Sequence, residues 1–399
     1  MDLCSGIVRR GHHEERLTGE YMLYLDNAAT TLQKPKCVID AMMEAMSQAG
    51  NAARGVNSAS LCAARIVTEA RQELADFFDF SVPNRVCFTG NATEALNTAI
   101  KGFFQPGDHV ITTAMEHNSV LRPLFCMQDE GIIRLTVVDA DEKGRLSYKE
   151  LEQAVREETR AIVIQHASNV TGNVNDLVRV GEICRRKNVA LLVDASQSVG
   201  CIPISMKAMN IAVLCFTGHK GLMGPQGTGG LLVREDVDLR PLKEGGSGIH
   251  SYDRRQPKDY PEHLEAGTLN THGIAGLLAA VRFLRETGVE EIGYHESSLA
   301  KAFYEQIREI PNVTVYGDFE GERTGIVTLN IEGYDSGEVS DELMERFGIA
   351  TRSGAHCAPL AHRALGTVDT GAVRFSFSYY NTMEDVNKAA EAVRTLATE

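Results

Sequence analysis

The sequence lacks two features that would direct it to a membrane or to a nucleic acid. None of its apolar runs reaches the roughly 18 residues that a membrane-spanning helix requires. It also lacks an excess of positive charge, because 54 acidic residues outnumber 40 basic ones and the formal net charge is −14. A nucleic-acid-binding protein needs a basic face for the phosphates, so this balance argues against that class.

The nine cysteines lack the spacing of a structural framework. Their number is odd, they are scattered from Cys4 to Cys357, and no two form a C-x-x-C pair. This pattern excludes a disulfide-bonded scaffold and a zinc finger. Several cysteines lie within apolar runs such as "RVCFT" and "AVLCFT", where cysteine acts as a small hydrophobic residue. We therefore predict a reducing compartment, namely the cytoplasm.

The first 21 residues lack the apolar segment of a secretory signal. They are polar, and regular patterning begins only at "MLYLDNAATT", so we predict that the compact fold starts at Met22. The prefix 1–21 is either a flexible extension or the product of an upstream start codon. The remaining length suits two domains, which we place at 22–280 and 281–399, with the first residues of the larger domain packing on the smaller one.

Short β-branched runs alternate with helical stretches between residues 60 and 233. This pattern predicts an α/β domain with a mostly parallel, seven-stranded sheet that helices cover on both faces. The predicted strands lie within the ranges 85–89, 109–113, 132–138, 161–168, 189–196, 212–217 and 229–234. After residue 280 two long helical stretches lead to three short strands and further helices, which predicts a smaller α+β domain.

Two polar residues follow buried strands of this sheet. Lys220 lies in the glycine-rich stretch "FTGHKGLMGPQGTGG", and Asp194 ends the strand of "VALLVDASQSVG". Ligands of open α/β sheets bind at the carboxyl ends of the strands, where both residues are expected. The alternatives are a surface turn for the lysine and a helix N-cap for the aspartate.

Two further signals occur at neighbouring strand ends. In "FTGNATEALNTAI" a helix opens at Asn91, Ala92 and Thr93, where free N–H groups can hold a phosphate or where Asn91 simply caps the helix. No G-x-G-x-x-G or Walker A motif is present, so a nucleotide is not implied. His117 follows the strand "HVITT" and can stack on a planar ligand or cap a helix.

Together these four signals are the parts that a pyridoxal 5'-phosphate site needs. They are a lysine for a covalent bond to the cofactor, an aspartate for its ring nitrogen, a helix N-terminus for its phosphate and a histidine for its ring face.

At this point the sequence resembles the class V aminotransferases, a family of the pyridoxal phosphate fold type I. Within that family it is similar to group II cysteine desulfurases and selenocysteine lyases. The matching stretches run in the family's order from residue 24 to 382 and include "YLDNAATT", "TGNATEALN", "MEHNSVLRPL", "ASNVTG", "VDASQSVG", "FTGHKGLMGPQGTGGL", "EAGTLNTHGIAGL", "RSGAHCAP" and "VRFSFSYYNT". The sequence departs from many relatives at Asn57, where they have histidine, and in "HCAPLAHRALGT".

The resemblance implies how the cofactor is held. Lys220 would bond to it and move the substrate's protons, Asp194 would pair with its ring nitrogen, and His117 would stack on the ring. Gln197 would hydrogen-bond the ring oxygen. The phosphate would contact the opening of the helix at Ala92 and Thr93, the residues Thr217 and His219, and Thr268 from a second subunit, which makes a homodimer obligatory.

The resemblance also implies the substrate's contacts and the reaction. Asn169, Arg374 and Arg352 would lie at the substrate carboxylate. Cys357, in "TRSGAHCAPLAHR", would take the sulfur of L-cysteine as a persulfide and leave L-alanine, and a protein would then accept the sulfur. Selenocysteine lyase, a transaminase and a non-enzymatic sulfur-transfer scaffold are the alternatives.

From the residues alone, two other roles for Cys357 are open. A metal site would use His356, Cys357 and His362, but no fourth ligand is near and adjacent ligands fit one tetrahedral ion poorly. A buried hydrophobic role suits the other eight cysteines better, because Cys357 lies in a loop of glycine, serine and proline. We predict no metal.

Overall fold

The computed structural model describes residues 22–52, 55 and 57–399. The predictions for the prefix 1–21 and for Cys4 lie outside this part. Within it, no helix combines the length and the apolar character that crossing a bilayer would require.

The seven-stranded sheet that the sequence predicts is confirmed. Its strands are β2 (Val86–Thr89), β3 (His109–Thr113), β4 (Arg134–Val138), β5 (Thr159–Gln165), β6 (Ala190–Asp194), β7 (Val213–Thr217) and β8 (Gly229–Val233). They lie in the order β2-β8-β7-β6-β5-β3-β4, and β8 is antiparallel to both of its neighbours while the other pairs are parallel.

Helices cover both faces of this sheet, which explains why its strands are apolar without alternation. They are α1 (Lys36–Gln48), α2 (Ser58–Phe77), α3 (Ala92–Phe103), α4 (Asn118–Asp129), α5 (Tyr148–Gln153), α6 (Leu177–Lys187) and α7 (Thr271–Thr287). Leu191 and Val193 of β6 enter the core beneath α2, α6 and α7. Leu192, which points to the opposite face, enters the core beneath α3 and α4.

A second, three-stranded antiparallel sheet forms towards the C-terminus. Its strands are β9 (Val313–Tyr316), β10 (Ile326–Ile331) and β12 (Val373–Ser376), in the order β12-β10-β9. Helices α8 (Val289–Ile307), α9 (Ser336–Phe347) and α11 (Met383–Thr398) contribute to its core, and the short helix α10 (Pro359–Ala364) lies before β12. The α+β composition predicted for the C-terminal region is therefore present.

The N-terminal strand joins this second unit. Strand β1 (Leu23–Tyr24) pairs in parallel with β11 (Ile349–Ala350), and the apolar side chains of Leu23 and Leu25 lie in the small core. Asp26 then bridges to Ser376 of β12, after which the chain crosses to the large sheet. The segment after Asp26 therefore runs between the two sheets. The domain boundary at residue 280 stays a prediction.

Candidate active site

The carboxyl ends of β3, β6 and β7, with the start of α3, surround one cavity with ≈ 480 Å³ of empty space. Parallel strands end at the same sheet edge, so residues far apart in sequence meet there. Nine of the residues predicted from the sequence line this cavity: Ala92, Thr93, His117, Asn169, Asp194, Gln197, Thr217, His219 and Lys220.

Lys220 is half-buried in the loop after β7, and that loop is not an open surface turn. A Cβ on Gly218 would lie 2.1 Å from Thr228 Oγ1, and one on Gly221 would lie 2.4 Å from the carbonyl oxygen of Val199. The glycines therefore let the loop pack directly on its neighbours. Burial, aided by the guanidinium of Arg374, lowers the pKa of Lys220 to about 8 although Asp194 opposes this shift. Near neutral pH an appreciable fraction of the amine is consequently uncharged, as a nucleophilic lysine requires.

Asp194 is buried at the end of β6 and does not cap a helix. Its Oδ1 accepts a hydrogen bond from the backbone N–H of Ser196 at 2.9 Å and another from the Ser196 hydroxyl. The carboxylate is thus fixed in orientation at the cavity wall, where an opposite charge on a ligand would interact with it strongly.

The start of α3 combines the two roles that the sequence left open for it. Asn91 is the N-cap, and its side chain accepts from the N–H of Glu94 at 2.9 Å while Glu94 accepts from the N–H of Gly90 at 2.8 Å. The cap leaves Ala92 and Thr93 at the first two helical positions, both on the cavity wall. Backbone N–H groups at these positions have no partner inside a helix and can bind an anion.

His117 caps α4, as one interpretation of the sequence holds, and it also lines the cavity. Its Nδ1 accepts from the N–H of Ser119 at 3.0 Å, so the proton of the neutral ring is assigned to Nε2. Burial lowers the pKa of His117 to about 4, with Asp194 opposing the shift and Lys220 adding to it. The ring is therefore neutral at physiological pH.

The N-terminal segment packs against two residues of the cavity wall, His219 and Gln197. The carbonyl oxygen of His219 accepts from the N–H of Thr31 at 3.1 Å and from the ammonium of Lys34 at 2.9 Å, and its ring Nδ1 lies 3.0 Å from Thr30 Oγ1. The amide of Gln197 donates to the carbonyl of Ala28 at 3.0 Å. Sequence reasoning missed Lys34, for which a polar loop gives no local signal.

Arg374 is almost fully buried between the two sheets. Its two terminal nitrogens donate to the carbonyl of Asn169 and to Asp26 Oδ1, each at 2.9 Å. Its Nε and the Oδ1 of Asn169 are buried and have no hydrogen-bond partner among the described residues. Burial lowers the pKa of Arg374 even though Asp26 opposes it. Asp26 is a second residue that sequence reasoning missed.

Cys357 lies beside this cavity and not on its wall. Its side chain is exposed, its carbonyl oxygen accepts from the N–H of Asn118 at 2.7 Å, and the preceding carbonyl of His356 accepts from Asn169 Nδ2 at 2.8 Å. The loop is thereby attached to Asn169 on the wall and to Asn118, the neighbour of His117.

The surroundings of the cysteines differ from one another in the structure. No group of three or more metal-ligating side chains occurs in the described part of the chain, and His356 and His362 bond each other instead of a common ion. The exposed Cys357 is not a hydrophobic core residue, whereas Cys87, Cys184, Cys201 and Cys215 are buried. The prediction that all other cysteines suit a buried role is wrong for Cys37 and Cys126, which are also exposed.

Besides Arg374 and Cys357, two further predicted residues do not lie on the cavity wall. Thr268 is exposed and lines a separate pocket with Glu94 and Asn270, so a single chain does not bring it to Lys220. Arg352 is half-buried beside the Cys357 loop, and its positive charge contributes to lowering the pKa values of His117 and Lys220.

Glu116 is a buried carboxyl group next to the site that sequence reasoning also missed. It accepts from the hydroxyl of Thr113 at 2.6 Å and from the N–H of Gln165 at 2.8 Å. Burial raises its pKa well above the usual value, and the charge of Asp194 adds to the shift. An acidic residue directly before His117 was the available signal.

The residues of this cavity fit pyridoxal 5'-phosphate. The set combines an amine of lowered pKa, a fixed buried carboxylate, the first turn of a helix with the hydroxyls of Thr93 and Thr217, and the neutral ring of His117. The unpartnered Arg374 Nε and Asn169 Oδ1 add a buried donor and a buried acceptor that a bound ligand can satisfy.

Comparisons with known proteins agree with this arrangement. The family model "Aminotransferase class-V" matches residues 23–389. A probable cysteine desulfurase of Methanothermobacter thermautotrophicus is 36% identical over 94% of this chain and 94% of its own, and a cysteine desulfurase of Haloferax volcanii is 30% identical over 96% and 91%. The apo structure of a cysteine desulfurase from Thermococcus onnurineus superimposes with a TM-score of 0.88 at 33% identity, covering 94% of this chain and 95% of that one.

Proposed function

Because this chain belongs to the class-V aminotransferase family, we propose that it is a pyridoxal 5'-phosphate-dependent cysteine desulfurase. It converts L-cysteine to L-alanine and retains the sulfur as a persulfide on Cys357. The observation that carries this proposal is the attachment of an exposed cysteine loop, through Asn118 and Asn169, to the rim of the cavity that holds Lys220 and Asp194.

The bound cofactor would act as an electron sink for the substrate's α- and β-carbons. Lys220 would hold it and then exchange protons with the substrate, since an amine with a pKa of about 8 can serve as either acid or base. Asp194 would bind the ring nitrogen and His117 would lie against the ring. The start of α3, with Thr217 and His219, would hold the phosphate.

The thiol of Cys357 would accept the sulfur atom. In balance, L-cysteine and the Cys357 thiol give L-alanine and the Cys357 persulfide, with the carbon–sulfur bond broken, a sulfur–sulfur bond formed and no outside oxidant required. The neutral and buried ring of His356 does not supply a positive charge to this thiol, because burial and the charge of Arg374 lower its pKa to about 3. The exposure of Cys357 would also let an acceptor protein collect the sulfur.

Arg374 would bind the substrate carboxylate through its unpartnered Nε–H, together with a terminal N–H that the bonds to Asn169 and Asp26 leave unused. The predicted contact between Asn169 and the carboxylate needs a change, because Asn169 Nδ2 is bonded to His356 and the free atom is an acceptor. Either the amide turns over when substrate binds, or Asn169 serves the Cys357 loop alone. Arg352 would add positive charge nearby.

Three further elements of the proposal concern the setting of the reaction. The enzyme would be a homodimer in which Thr268 completes the phosphate site of the other subunit, a sulfur-acceptor protein would discharge Cys357, and the location would be the cytoplasm. Selenocysteine lyase activity uses the same residues and stays an alternative. A transaminase has no use for an anchored, exposed thiol.

The test is the product and the fate of the sulfur. The purified holoenzyme given L-cysteine without reductant should release alanine and gain one sulfur atom on Cys357, seen as a mass shift that dithiothreitol removes. Cys357→Ser should retain the bound cofactor and lose alanine release by about two orders of magnitude or more, because no other group accepts the sulfur.

Cys126→Ser is the matched control, since Cys126 is also exposed and receives the same substitution. It should release alanine at the wild-type rate within about twofold. Undiminished desulfuration by Cys357→Ser would overturn the proposal. Rates on selenocysteine with both variants distinguish the lyase alternative, in which the loss of Cys357 matters much less.

A further inference from the structure

The loop that carries Cys357 has a strained backbone. His356 and Cys357 have φ angles of +50° and +56°, and these are two consecutive non-glycine residues in the left-handed region. Residues with a Cβ rarely adopt this region, and they keep it only where surrounding contacts impose it. The contacts that impose it here should therefore determine where the thiol lies.

The start of the loop is fixed by its pairing with the segment before β12. The N–H of Gly354 donates to the carbonyl of Ala372 at 3.1 Å, and the N–H of Ala372 donates back at 3.2 Å. The carbonyls of His356 and Cys357 are bonded to Asn169 and Asn118, as described above. The conformation of the loop's far end must be set by α10, which begins two residues after Cys357.

A chain of hydrogen bonds through two histidines joins α10 to the start of the loop. His356 Nε2 lies 3.0 Å from the carbonyl oxygen of Arg352, which can only accept, so His356 carries its proton on Nε2. Its Nδ1 must then accept from His362 Nε2, at 3.2 Å. His362 Nδ1 in turn accepts from the hydroxyl of Thr367 at 2.8 Å. All four ring nitrogens are used. The carbonyl of Arg352 sets the direction of the first two bonds, and the neutral state of His362 sets that of the third.

The surroundings keep both rings neutral. His356 and His362 are 3% and 2% exposed, and their ring planes lie 12° apart. Burial lowers the pKa of both, and the charged groups that face His356, namely Arg374 on β12 and Arg352 at the loop's start, add to the shift. A proton added to His356 Nδ1 would face the N–H of His362 Nε2, so the bond pattern requires a neutral His356.

We propose that His362 is a positioning residue for the Cys357 thiol. Through His356 it holds the left-handed turn at residues 356 and 357 and so keeps Cys357 beside Asn118 at the rim of the cavity. Its role is independent of any direct contact with substrate or cofactor. The expected change in kcat rests on the proposed desulfurase function, whereas the expected change in the position of the Cys357 loop does not.

The structural consequence is tested on the N–H of Asn118, which donates to the Cys357 carbonyl. His362→Leu removes the donor to His356, so this amide should exchange with solvent deuterium at least about tenfold faster than in the wild type. The amide of Ser119, which donates to His117, should keep its protection. His362→Gln, whose Nε2 can still donate to His356, should restore the protection of Asn118.

The kinetic consequence is a split between binding and turnover. His362→Leu should lower kcat for alanine release from L-cysteine by about tenfold or more and change KM by less than about twofold, because the substrate's own contacts persist. His362→Gln should recover kcat to within about threefold of the wild type. Thr367→Val, which removes only the hydroxyl bonded to His362, should give an intermediate loss even if His362→Leu fails to fold.

His109→Leu is the matched control for losing a buried histidine. His109 is fully buried in β3, with its ring nitrogens 2.7 Å and 2.8 Å from the hydroxyls of Thr159 and Thr136, and it lies in another part of the fold. It should leave the exchange of the Asn118 amide unchanged. Equal losses of kcat in His109→Leu and His362→Leu, or an unaltered Asn118 amide in His362→Leu, would overturn the inference. If the wild type releases no alanine, the proposed function fails while the exchange experiment still tests the role of His362.

Discussion

At the scale of single residues, the site depends on charges that have been taken out of water and fixed. The ammonium of Lys220 is surrounded by the positive charges of Arg374 and Arg352 and by the negative charge of Asp194. Burial outweighs the attraction to Asp194, so the amine loses its proton more readily than a lysine in water. Asp194 in turn is held by Ser196, which leaves its charge at one place on the wall. A single change of charge here should alter chemistry without altering the fold.

The substitution Asp194→Asn tests this at the ring nitrogen of the cofactor. We expect the variant to fold and to bind pyridoxal phosphate, yet to release alanine at least about a hundredfold more slowly, because a neutral amide cannot stabilise a protonated ring. Steady-state alanine release and cofactor absorbance measure the two effects.

Ser196→Ala serves as the control, because it removes a hydroxyl from Asp194 but leaves the carboxylate and its charge. Its loss of rate should be far smaller. Near-normal turnover by Asp194→Asn would remove the carboxylate from the mechanism.

At the scale of secondary-structure elements, the beginnings of helices determine which backbone groups face the cavity. Helix α3 begins at Ala92 because Asn91 and Glu94 cap it, and helix α4 begins at Asn118 because His117 caps it. The caps do not compete with ligand binding, because a cap satisfies one N–H and leaves its neighbours available. In α3 the cap thus stabilises the helix and leaves the N–H groups of its first turn at the site, whereas in α4 the N–H of Asn118 bonds the Cys357 carbonyl.

A comparison of Asn91→Ala with another cap variant should separate helix stabilisation from cofactor binding. Loss of the cap should lower the free energy of unfolding by about 1 kcal/mol and weaken cofactor binding several-fold, because the first turn of α3 loses its fixed position. The matched control is Asp335→Ala, which removes the N-cap of α9 in the small unit. The side chain of Asp335 accepts from the N–H of Gly337 at 2.7 Å.

Both variants should show similar losses in urea unfolding, and only Asn91→Ala should raise the dissociation constant for pyridoxal phosphate. If the two variants bind the cofactor equally well, the start of α3 does not hold the phosphate.

At the scale of the whole molecule, one chain leaves the predicted phosphate site without Thr268. That residue lies on a separate, exposed pocket, so its predicted role requires a second subunit. The two sheets, by contrast, are joined within the chain by the bond from Arg374 of β12 to the carbonyl of Asn169 and by the segment after β1. Apart from this predicted contact, the residues of the site come from one chain.

Mixed dimers test the contribution of Thr268. In a dimer of one Lys220→Ala chain and one Thr268→Ala chain, the Lys220 of the second chain would be completed by the Thr268 of the first. We expect such dimers to have about half of the wild-type activity, since one site of two is intact. A dimer of two Thr268→Ala chains should have two weakened sites.

Sedimentation should give about twice the 43.6 kDa of one chain. An active monomer, or mixed dimers that are no better than the Thr268→Ala dimer, would contradict the prediction.

The free energy of unfolding should depend on pH through buried groups whose pKa differs between the folded and the unfolded chain. Burial lowers the pKa of His166 to about 4, well below the usual value of about 6.5. Above pH 6.5 both folded and unfolded chains carry this ring neutral, and as pH falls below 6.5 only the unfolded chain takes up the proton. Folding is therefore weakened by about 2 kcal/mol at pH 5 from this one group.

Buried carboxyl groups act in the opposite direction. Burial raises the pKa of Glu296 to about 8 and that of Glu116 well above its usual value, so both take up protons more readily when folded. Their effect is common to the wild type and to His166→Gln and cancels in a comparison. Urea unfolding at pH 7 and pH 5 should show the variant losing about 2 kcal/mol less than the wild type. Equal losses would mean that His166 is protonated in the folded protein.

Much of this molecule was determined by local sequence. Each of the seven strands of the large sheet was predictable, because apolar runs such as "AIVIQ" and "ALLVD" bury both faces and are too short for helices. Lys220, Asp194 and His117 could be placed together because parallel strands end at a common edge, which fixes their neighbourhood without knowledge of side-chain contacts. The β1–β11 pair was less predictable, since two residues on each strand give no periodicity.

Only the tertiary structure decided the contacts that join distant segments. Asp26 meets Arg374 across 348 positions of the chain, and Asn169 meets the carbonyl of His356 across 187. Neither sequence neighbourhood contains a signal for its partner, because such pairs depend on how segments far apart in the sequence pack together. The same holds for the neutral His356–His362 pair and the left-handed turn at Cys357, which arise from burial and from the carbonyl of Arg352. The sequence determined which reactive groups are present and at which edge of the sheet they lie, whereas packing decided their charge, their proton directions and the position of the thiol.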